Sequence, residues 1–270
     1  VFEWDELMAP DGWIQIGNDV MITVQENGGQ GLGIAMSANG TRVAMATPSG
    51  VVVYTDDIPG PTPNTWIEIN VDGGGPIPFA TSAGLNPAVD LSADGTRLII
   101  SSMGNGGGGF CNECGSGMSF ENEQCESSAS VYESRFNVDN GLWAWHKLGD
   151  DIIMTVNPYT FAGDVSISDD GNLIAIGIYR GGSCLTDIVH LYEWKSGGWN
   201  QVDQVIEAPT VEGWAGFGMS SISLSGDGKR VAFGGTGSSG SVVVYEAPAN
   251  PPPLPSPPPP SPPSPSPPPS

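Results

Sequence analysis

Basic residues are scarce in this 270-residue chain. Eight Lys and Arg stand against 30 Asp and Glu, a formal net charge of -22. A nucleic-acid-binding surface needs a cationic footprint, and this one repels phosphate, so that class is excluded. No apolar run approaches the roughly 18 residues of a membrane-spanning helix. Long helices are missing too, because no stretch carries Ala, Leu, Glu and Lys in a periodic face. Histidine occurs twice, at His146 and His190. That leaves little material for a metal centre or a catalytic base, and both histidines lie in predicted strands, where a structural role is expected. Chemistry-bearing motifs are equally sparse. The stretch "GNGGGG" (104–109) lacks the Lys-Ser/Thr of a phosphate loop. The acidic segment "FENEQCE" (120–126), with Glu121, Glu123 and Glu126, reads as a solvated loop rather than a cation site. We therefore expect no enzyme, no metal and no cofactor.

Glycine, by contrast, is abundant at 39 residues, and charged residues make up only 14% of the chain. Together these suit a turn-rich all-β protein. An acidic surface fits solubility and carriage outside the cell. The four cysteines, Cys111, Cys114, Cys125 and Cys184, read as two disulfides in such a setting. Every possible connectivity pairs Cys184 with one of the other three. The chain begins at Val1, which fits a processed or truncated N-terminus, so a missing signal peptide does not argue against secretion.

Four segments share one pattern. They are "IAMSANGTRVAMA" (34–46), "AVDLSADGTRLIIS" (88–101), "DVSISDDGNLIAIG" (164–177) and "SISLSGDGKRVAFG" (221–234). In each, a Ser-x-Asp/Asn-Gly turn separates two apolar runs, with the serines at Ser37, Ser92, Ser168 and Ser225. Asn-Gly and Asp-Gly between alternating apolar runs signal a hairpin, and four copies in register signal an internal repeat. A third strand is predicted after each hairpin, in "VVVYT" (51–55), "LWAWH" (142–146), "VHLYEW" (189–194) and "VVVYE" (242–246). A fourth is predicted in "TWIEIN" (65–70), "LGDDIIM" (148–154) and "WNQVDQVI" (199–206). Four short antiparallel strands per unit, repeated, predict a β-propeller of about four four-stranded blades over residues 1–247. A cysteine-containing insertion is predicted at 104–130. The opening "VFEW" (1–4) and "WIQIGNDV" (13–20) have the cadence of third and fourth strands. Ring closure would let "WIQIGNDV" complete the last blade and leave "VFEW" surplus, either packed on an edge or part of an upstream region cut away, or else paired with a neighbouring molecule.

Asn39-Gly40-Thr41 is an N-glycosylation sequon, with Asn39 on a hairpin turn. Residues 248–270 are almost entirely Pro and Ser. Proline fixes φ and has no backbone donor, so this tail is predicted to be a polyproline II rod. At about 3.1 Å per residue the stretch from Asn250 would span roughly 60 Å.

The residues of the last repeat, Trp199, Gln201, Phe217, Gly218, Ser225, Asp227, Gly228, Val243 and Tyr245, resemble the FG-GAP-like propeller repeats of secreted algal and marine proteins. The third repeat resembles them through Phe161, Ser168, Gly171, Tyr192 and Trp194. No Asp-x-Asp-x-Asp-Gly loop is present, so the resemblance brings no calcium site. "SPPPP" at Ser256–Pro260 resembles the extensin motif of plant and green-algal hydroxyproline-rich glycoproteins. That resemblance implies hydroxylation or O-glycosylation at Pro252, Pro253, Pro255, Ser256, Pro257, Pro258, Pro259, Pro260, Ser261, Pro262, Pro263, Pro265, Pro267, Pro268 and Pro269. A propeller head on such a tail resembles mastigoneme-type extracellular glycoproteins of green algae. The implied role is a non-enzymatic structural subunit of an extracellular fibre, cell wall or flagellar surface. Its partners would be copies of itself or other extracellular glycoproteins. The alternative is a secreted glycan- or protein-binding propeller, with Tyr159, Trp214 and Phe217 lining one face.

Overall fold

The computed structural model describes residues 1–4, 12–16, 19, 33–47, 49–56, 65–79, 87–102, 127–154, 160–180, 188–202, 205–207, 219–235 and 241–247. All regular structure there is β. A two-stranded sheet comes first, β1 (Phe2–Trp4) paired with β2 (Trp13–Gln15). Four antiparallel sheets follow in chain order, each a blade. Blade 1 holds β3 (Ile34–Met36), β4 (Arg42–Thr47), β5 (Gly50–Thr55) and β6 (Ile67–Ile69). Blade 2 holds β7 (Val89–Leu91), β8 (Arg97–Ser102), β9 (Ser127–Asn137) and β10 (Leu142–Lys147), with β11 (Ile152–Met154) also on β9. Blade 3 holds β12 (Thr160–Ile167), β13 (Leu173–Arg180), β14 (Ile188–Lys195) and β15 (Gly198–Gln201), with β16 (Ile206–Glu207) also on β14. Blade 4 holds β17 (Met219–Leu224), β18 (Arg230–Gly235) and β19 (Ser241–Glu246).

The Ser-x-Asp-Gly turns explain why the inner hairpins form. In blade 3, Ser168 Oγ donates to Asp170 Oδ1 at 2.7 Å and accepts the Leu173 N–H at 3.0 Å. Asp170 Oδ1 also accepts the Asn172 N–H at 2.9 Å. Two short side chains thus satisfy the backbone donors that the reversal exposes. The same bonds recur at Ser37/Asn39, Ser92/Asp94 and Ser225/Asp227. The turn glycines Gly40, Gly95, Gly171 and Gly228 all have φ between 68° and 74°, a region that penalises any Cβ. Ser168 is buried. Ser168→Ala is expected to cost about 1–2 kcal/mol, the price of a buried donor left unpaired, read by urea unfolding. A change within experimental error would show that the turn stands without its serine.

Strand alternation sends one row of side chains from each blade to each neighbour. The result is three packed cores among the described residues. Ala44, Val51 and Leu98 belong to the first, between blades 1 and 2. Ile99, Val131 and Ile176 belong to the second, between blades 2 and 3. Val189, Ile222 and Phe233 belong to the third, between blades 3 and 4. Among the described residues no such core joins blade 4 to blade 1, and there the four blades form an open series, an arc running from blade 1 to blade 4.

Two sequence expectations need correction. "LWAWH" is not the third strand of blade 2: β10 lies outermost, and β9 takes the third place between β8 and β10. The insertion predicted at 104–130 therefore ends earlier, because Ser127–Ser130 already pair within β9. β9 was inconspicuous because it is serine-rich and carries Glu133 and Arg135, while Trp143 and Trp145 made "LWAWH" the more strand-like segment. Nor does "WIQIGNDV" complete blade 4. β2 pairs with β1, with Phe2 opposite Gln15 and Trp4 opposite Trp13, so "VFEW" is not surplus. Blade 4 has three strands among the described residues.

Candidate functional site

The four inner turns meet their neighbours in a ladder that no single repeat reveals. The Ala38 N–H donates to the Ala93 carbonyl at 3.0 Å, Ala93 to Asp169 at 3.1 Å, and Asp169 to Gly226 at 2.9 Å. Each rung joins the second turn residue of one blade to its counterpart in the next. Side chains add bonds at equivalent places. Asp90 Oδ2 of blade 2 accepts the Ile167 N–H of blade 3 at 2.9 Å and the Ser166 hydroxyl at 2.9 Å. Ser166 Oγ, one blade on, accepts the Leu224 N–H of blade 4 at 3.0 Å. Asp164 Oδ2 accepts the Ile222 N–H at 2.8 Å.

Arginines following the turns brace the same joints. Arg42 Nη1 of blade 1 donates to the Gly95 carbonyl of blade 2 at 3.0 Å. Arg97 Nη1 of blade 2 donates to Gly171 of blade 3 at 3.1 Å and to Asn172 Oδ1 at 2.6 Å, while its other nitrogens hold Glu133 at 3.2 Å. These contacts press the arginine stem onto the turn glycine. A Cβ on Gly95 would lie 2.7 Å from Arg42 Cδ, and one on Gly171 would lie 2.6 Å from Arg97 Cδ. The recurrence of Arg42, Arg97 and Arg230 two residues after the turn glycine was visible in the sequence, but its partner in the next blade was not.

The electrostatics follow this wiring. Burial pushes the Asp90 carboxyl above the usual range; the bonds from Ile167, Ser166 and Leu91 work against that shift, and the charge of Asp164 adds to it. Asp94 is also pushed up by burial, but bonds from Thr96 and Ser92 outweigh this and hold it low. Asp170 is held low chiefly by the Asn172 N–H, and Asp227 by the Lys229 N–H. For these three turn carboxylates, stability is present above the unfolded pKa and is lost as pH falls through the folded one.

At the outer rim, a cleft of about 400 Å³ opens between blades 2 and 3, lined among others by Asp150, Asp151, Tyr192 and Trp199. Trp199 Nε1 donates to the Leu148 carbonyl at 2.9 Å, and its ring lies 5.3 Å from that of Trp194. Bonds from Lys147 and Ser130 outweigh burial and hold the Asp151 carboxyl low. Trp66 repeats the indole bond two blades earlier, on blade 1, donating to the Ile16 carbonyl at 3.1 Å. The Ile16 N–H in turn bonds to Val1, just as Leu148 bonds to Val131 and Val202 to Leu191. β1 and β2 therefore stand as the third and fourth strands of a blade preceding blade 1.

Of the residues singled out in the sequence, Asn39 is described. It is exposed on its turn, where Oδ1 accepts from Ser37 Oγ and from Thr41 N and Oγ1. His146 Nδ1 pairs with Asp72 Oδ2 at 3.2 Å, and His190 Nδ1 lies 3.2 Å from Gln201 Nε2. Cys111, Cys114, Cys125, Cys184, the acidic loop, Tyr159, Trp214, Phe217 and the tail lie outside the described residues. Among the described residues, no cluster of His, Cys, Asp and Glu forms a metal site, and no helix is long and apolar enough to cross a membrane.

No protein-family model and no curated protein matches the sequence. Solved structures do resemble the fold. The β-propeller domain of Myceliophteria thermophila Cps50 (Swd1) matches 80% of this chain and 51% of its own, with 11% identity and a TM-score of 0.44. A hypothetical selenium-binding protein from Sulfolobus tokodaii matches 73% of this chain and 44% of its own, with 11% identity and a TM-score of 0.42. A putative 6-phosphogluconolactonase from Bacteroides fragilis matches 79% and 66%, with 16% identity and a TM-score of 0.40. The chain spans about half the length of the first two. At such identities the likeness is one of fold alone. The sheets, their order and the ladder between their turns make this chain a β-propeller of four antiparallel blades.

Proposed function

We propose that the protein is a non-enzymatic structural glycoprotein, a subunit of an extracellular fibre, mastigoneme or wall layer, built from an FG-GAP-like propeller head and an extensin-like rod. The observation that carries this reading is the pair of exposed apolar faces at the ends of the arc. Ile34 and Met36 are 67% and 55% exposed on blade 1, and Val242 and Val244 are 73% and 60% exposed on blade 4. Exposed apolar side chains grouped in this way mark contact surfaces. The polar side chains of the repeat serve the joints between blades, which is the economy of a scaffold. The Pro/Ser stretch supports a stiff spacer outside the cell, and Asn39 offers a glycan site on an exposed turn.

Mass spectrometry of the tail in protein from its native source tests the assignment. Hydroxyproline bearing pentose, together with filaments in negative stain, is expected. Unmodified proline throughout residues 251–269 would end the extensin-type reading.

The rim cleft favours a second reading, a secreted glycan-binding module. There, the Tyr192 and Trp199 rings beside Asp150 offer an aromatic wall and a hydrogen-bond acceptor. Glycan-array binding abolished by Trp199→Ala, with dispersed monomers in the microscope, would decide for it.

A further inference from the structure

The two ends of the arc carry matching halves of the joint that already links its blades. At blade 4, the Gly226 N–H is the donor of the next rung; at blade 1, the Ala38 carbonyl is the acceptor of the preceding one. No rung joins these two among the described residues. Ser223 stands where Ser166 stands one blade earlier, and Met36 stands where Leu224 stands. The Ser166 hydroxyl accepts the Leu224 N–H, so Ser223 is placed to accept that of Met36.

The arginine brace follows suit. Arg230 is the counterpart of Arg42 and Arg97, and it already holds Glu246 at 3.2 Å, as Arg97 holds Glu133. Both members of the Arg230–Glu246 pair are exposed. Gly95 and Gly171 each lie under an arginine stem, and Gly228 lies under Leu173, but a Cβ on Gly40 would meet nothing within 4 Å. One end therefore shows an arginine without a turn, and the other a turn without an arginine. The apolar sets agree as well, with Val242 and Val244 at one end and Ile34 and Met36 at the other.

We infer that blade 4 docks on blade 1 of a second copy, head to tail, reproducing the internal joint between chains. This deepens the fibre reading and rests on it for its biological setting. The occupant is a second copy because its chemistry is that of the internal joint and because, among the described residues, neither a rung nor a core joins blade 4 to blade 1 of the same chain. A head-to-tail contact of this kind yields a ring where the rotation closes and a filament where it does not.

The junction also gives the opening half-blade a role. Val1-Phe2-Glu3, entering β1, matches Val244-Tyr245-Glu246 in β19. Phe2 and Glu3 face Gln15 and Ile14 of β2 as Tyr192 and Glu193 face Gln201 and Asn200 in blade 3. β1 thus occupies the place that the neighbour's β19 takes in the junction, and docking displaces β1 from β2.

Sedimentation velocity on the 270-residue chain tests this with two variants at exposed positions, Met36→Asp and Val244→Asp. The wild type is expected to associate with rising concentration, and each variant alone to stay monomeric. Mixed together, they are expected to form a one-to-one dimer and nothing larger, since each retains the face the other lacks. Removal of residues 1–4 is expected to tighten association about tenfold, the equivalent of 1.4 kcal/mol; unchanged association would overturn the displacement of β1. A monomeric wild type would overturn the junction while leaving the reading of the tail to its own test. A wild type that associates while the mixture does not would overturn the head-to-tail joint and leave self-association standing.

Discussion

Replacing Trp145 by alanine is expected to lower the unfolding free energy by about 3–5 kcal/mol, the cost of emptying a large aromatic site. Trp145 is 1% exposed and lies in the core between blades 1 and 2, among residues that include Val51, Leu98 and Tyr132. Its backbone N–H also donates to the Asn70 carbonyl of blade 1 at 3.0 Å. The side chain therefore fills the joint at the point where the outer strand of one blade meets the end of the other. Neither β-sheet can move in to close the void without breaking that contact. Trp143→Ala makes the control: Trp143 is partly buried, packs 5.6 Å from Phe136 and lies under the Arg42 guanidinium at 5.3 Å. Its loss should cost about 1–2 kcal/mol, the scale of a ring contact and a cation–π contact at a surface. Chemical denaturation of both variants reads the difference. Equal losses would mean that the first joint is not the tight one.

Asp90→Ala is the second large effect, expected at about 2–4 kcal/mol, because the Ile167 N–H and the Ser166 hydroxyl lose their acceptor at a buried joint. Asp90→Asn should be milder, since an amide oxygen still accepts and no charge is buried. The two variants also separate in pH. Burial raises the folded pKa of Asp90, so the folded state binds its proton more readily than the unfolded one. The stability this adds is complete below the unfolded pKa and is lost as pH rises through the folded value. The advantage of wild type over Asp90→Asn should therefore be greatest below the unfolded pKa and shrink as pH rises through the folded value. Subtracting the two unfolding curves at each pH removes the opposite trend of Asp94, Asp170 and Asp227. An advantage that grew with pH would show that the bonds to Asp90, not its burial, set its titration.

How much of this was legible in the sequence depends on the range of the interaction. The four inner hairpins were legible because Ser-x-Asp/Asn-Gly is a local device: Ser168 and Asp170 close their own turn. β14 and β19 were legible because alternating β-branched and aromatic residues mark a strand whatever surrounds it. β9 was not, because its burial comes from two neighbouring blades. Val131 faces one and Tyr132 the other, so its apolar residues are adjacent in sequence instead of alternating. The place of β2 was hidden for a related reason. The sequence offered two equivalent third strands for it, β1 and β19, and only the pairing in space chose between them. The joint itself, from Asp90 to Ile167 and from Arg97 to Gly171, joins residues more than seventy positions apart. No local pattern encodes such a bond, although the repeated arginine hinted that something lay beside it.

The turn ladder has one last consequence. All three rungs point the same way, from the N–H of one blade to the carbonyl of the next, so the molecule is an arrow with chemically different tip and tail. Asn39 sits at one of those ends, next to Ala38 and Gly40, and at the other end its place is taken by Asp227, which offers no amide to a sugar. A sugar on Asn39 would cap a single terminus and leave the opposite one open. A strand would then begin at a copy that carries this sugar and grow only from its blade 4 end, by docking copies that lack it.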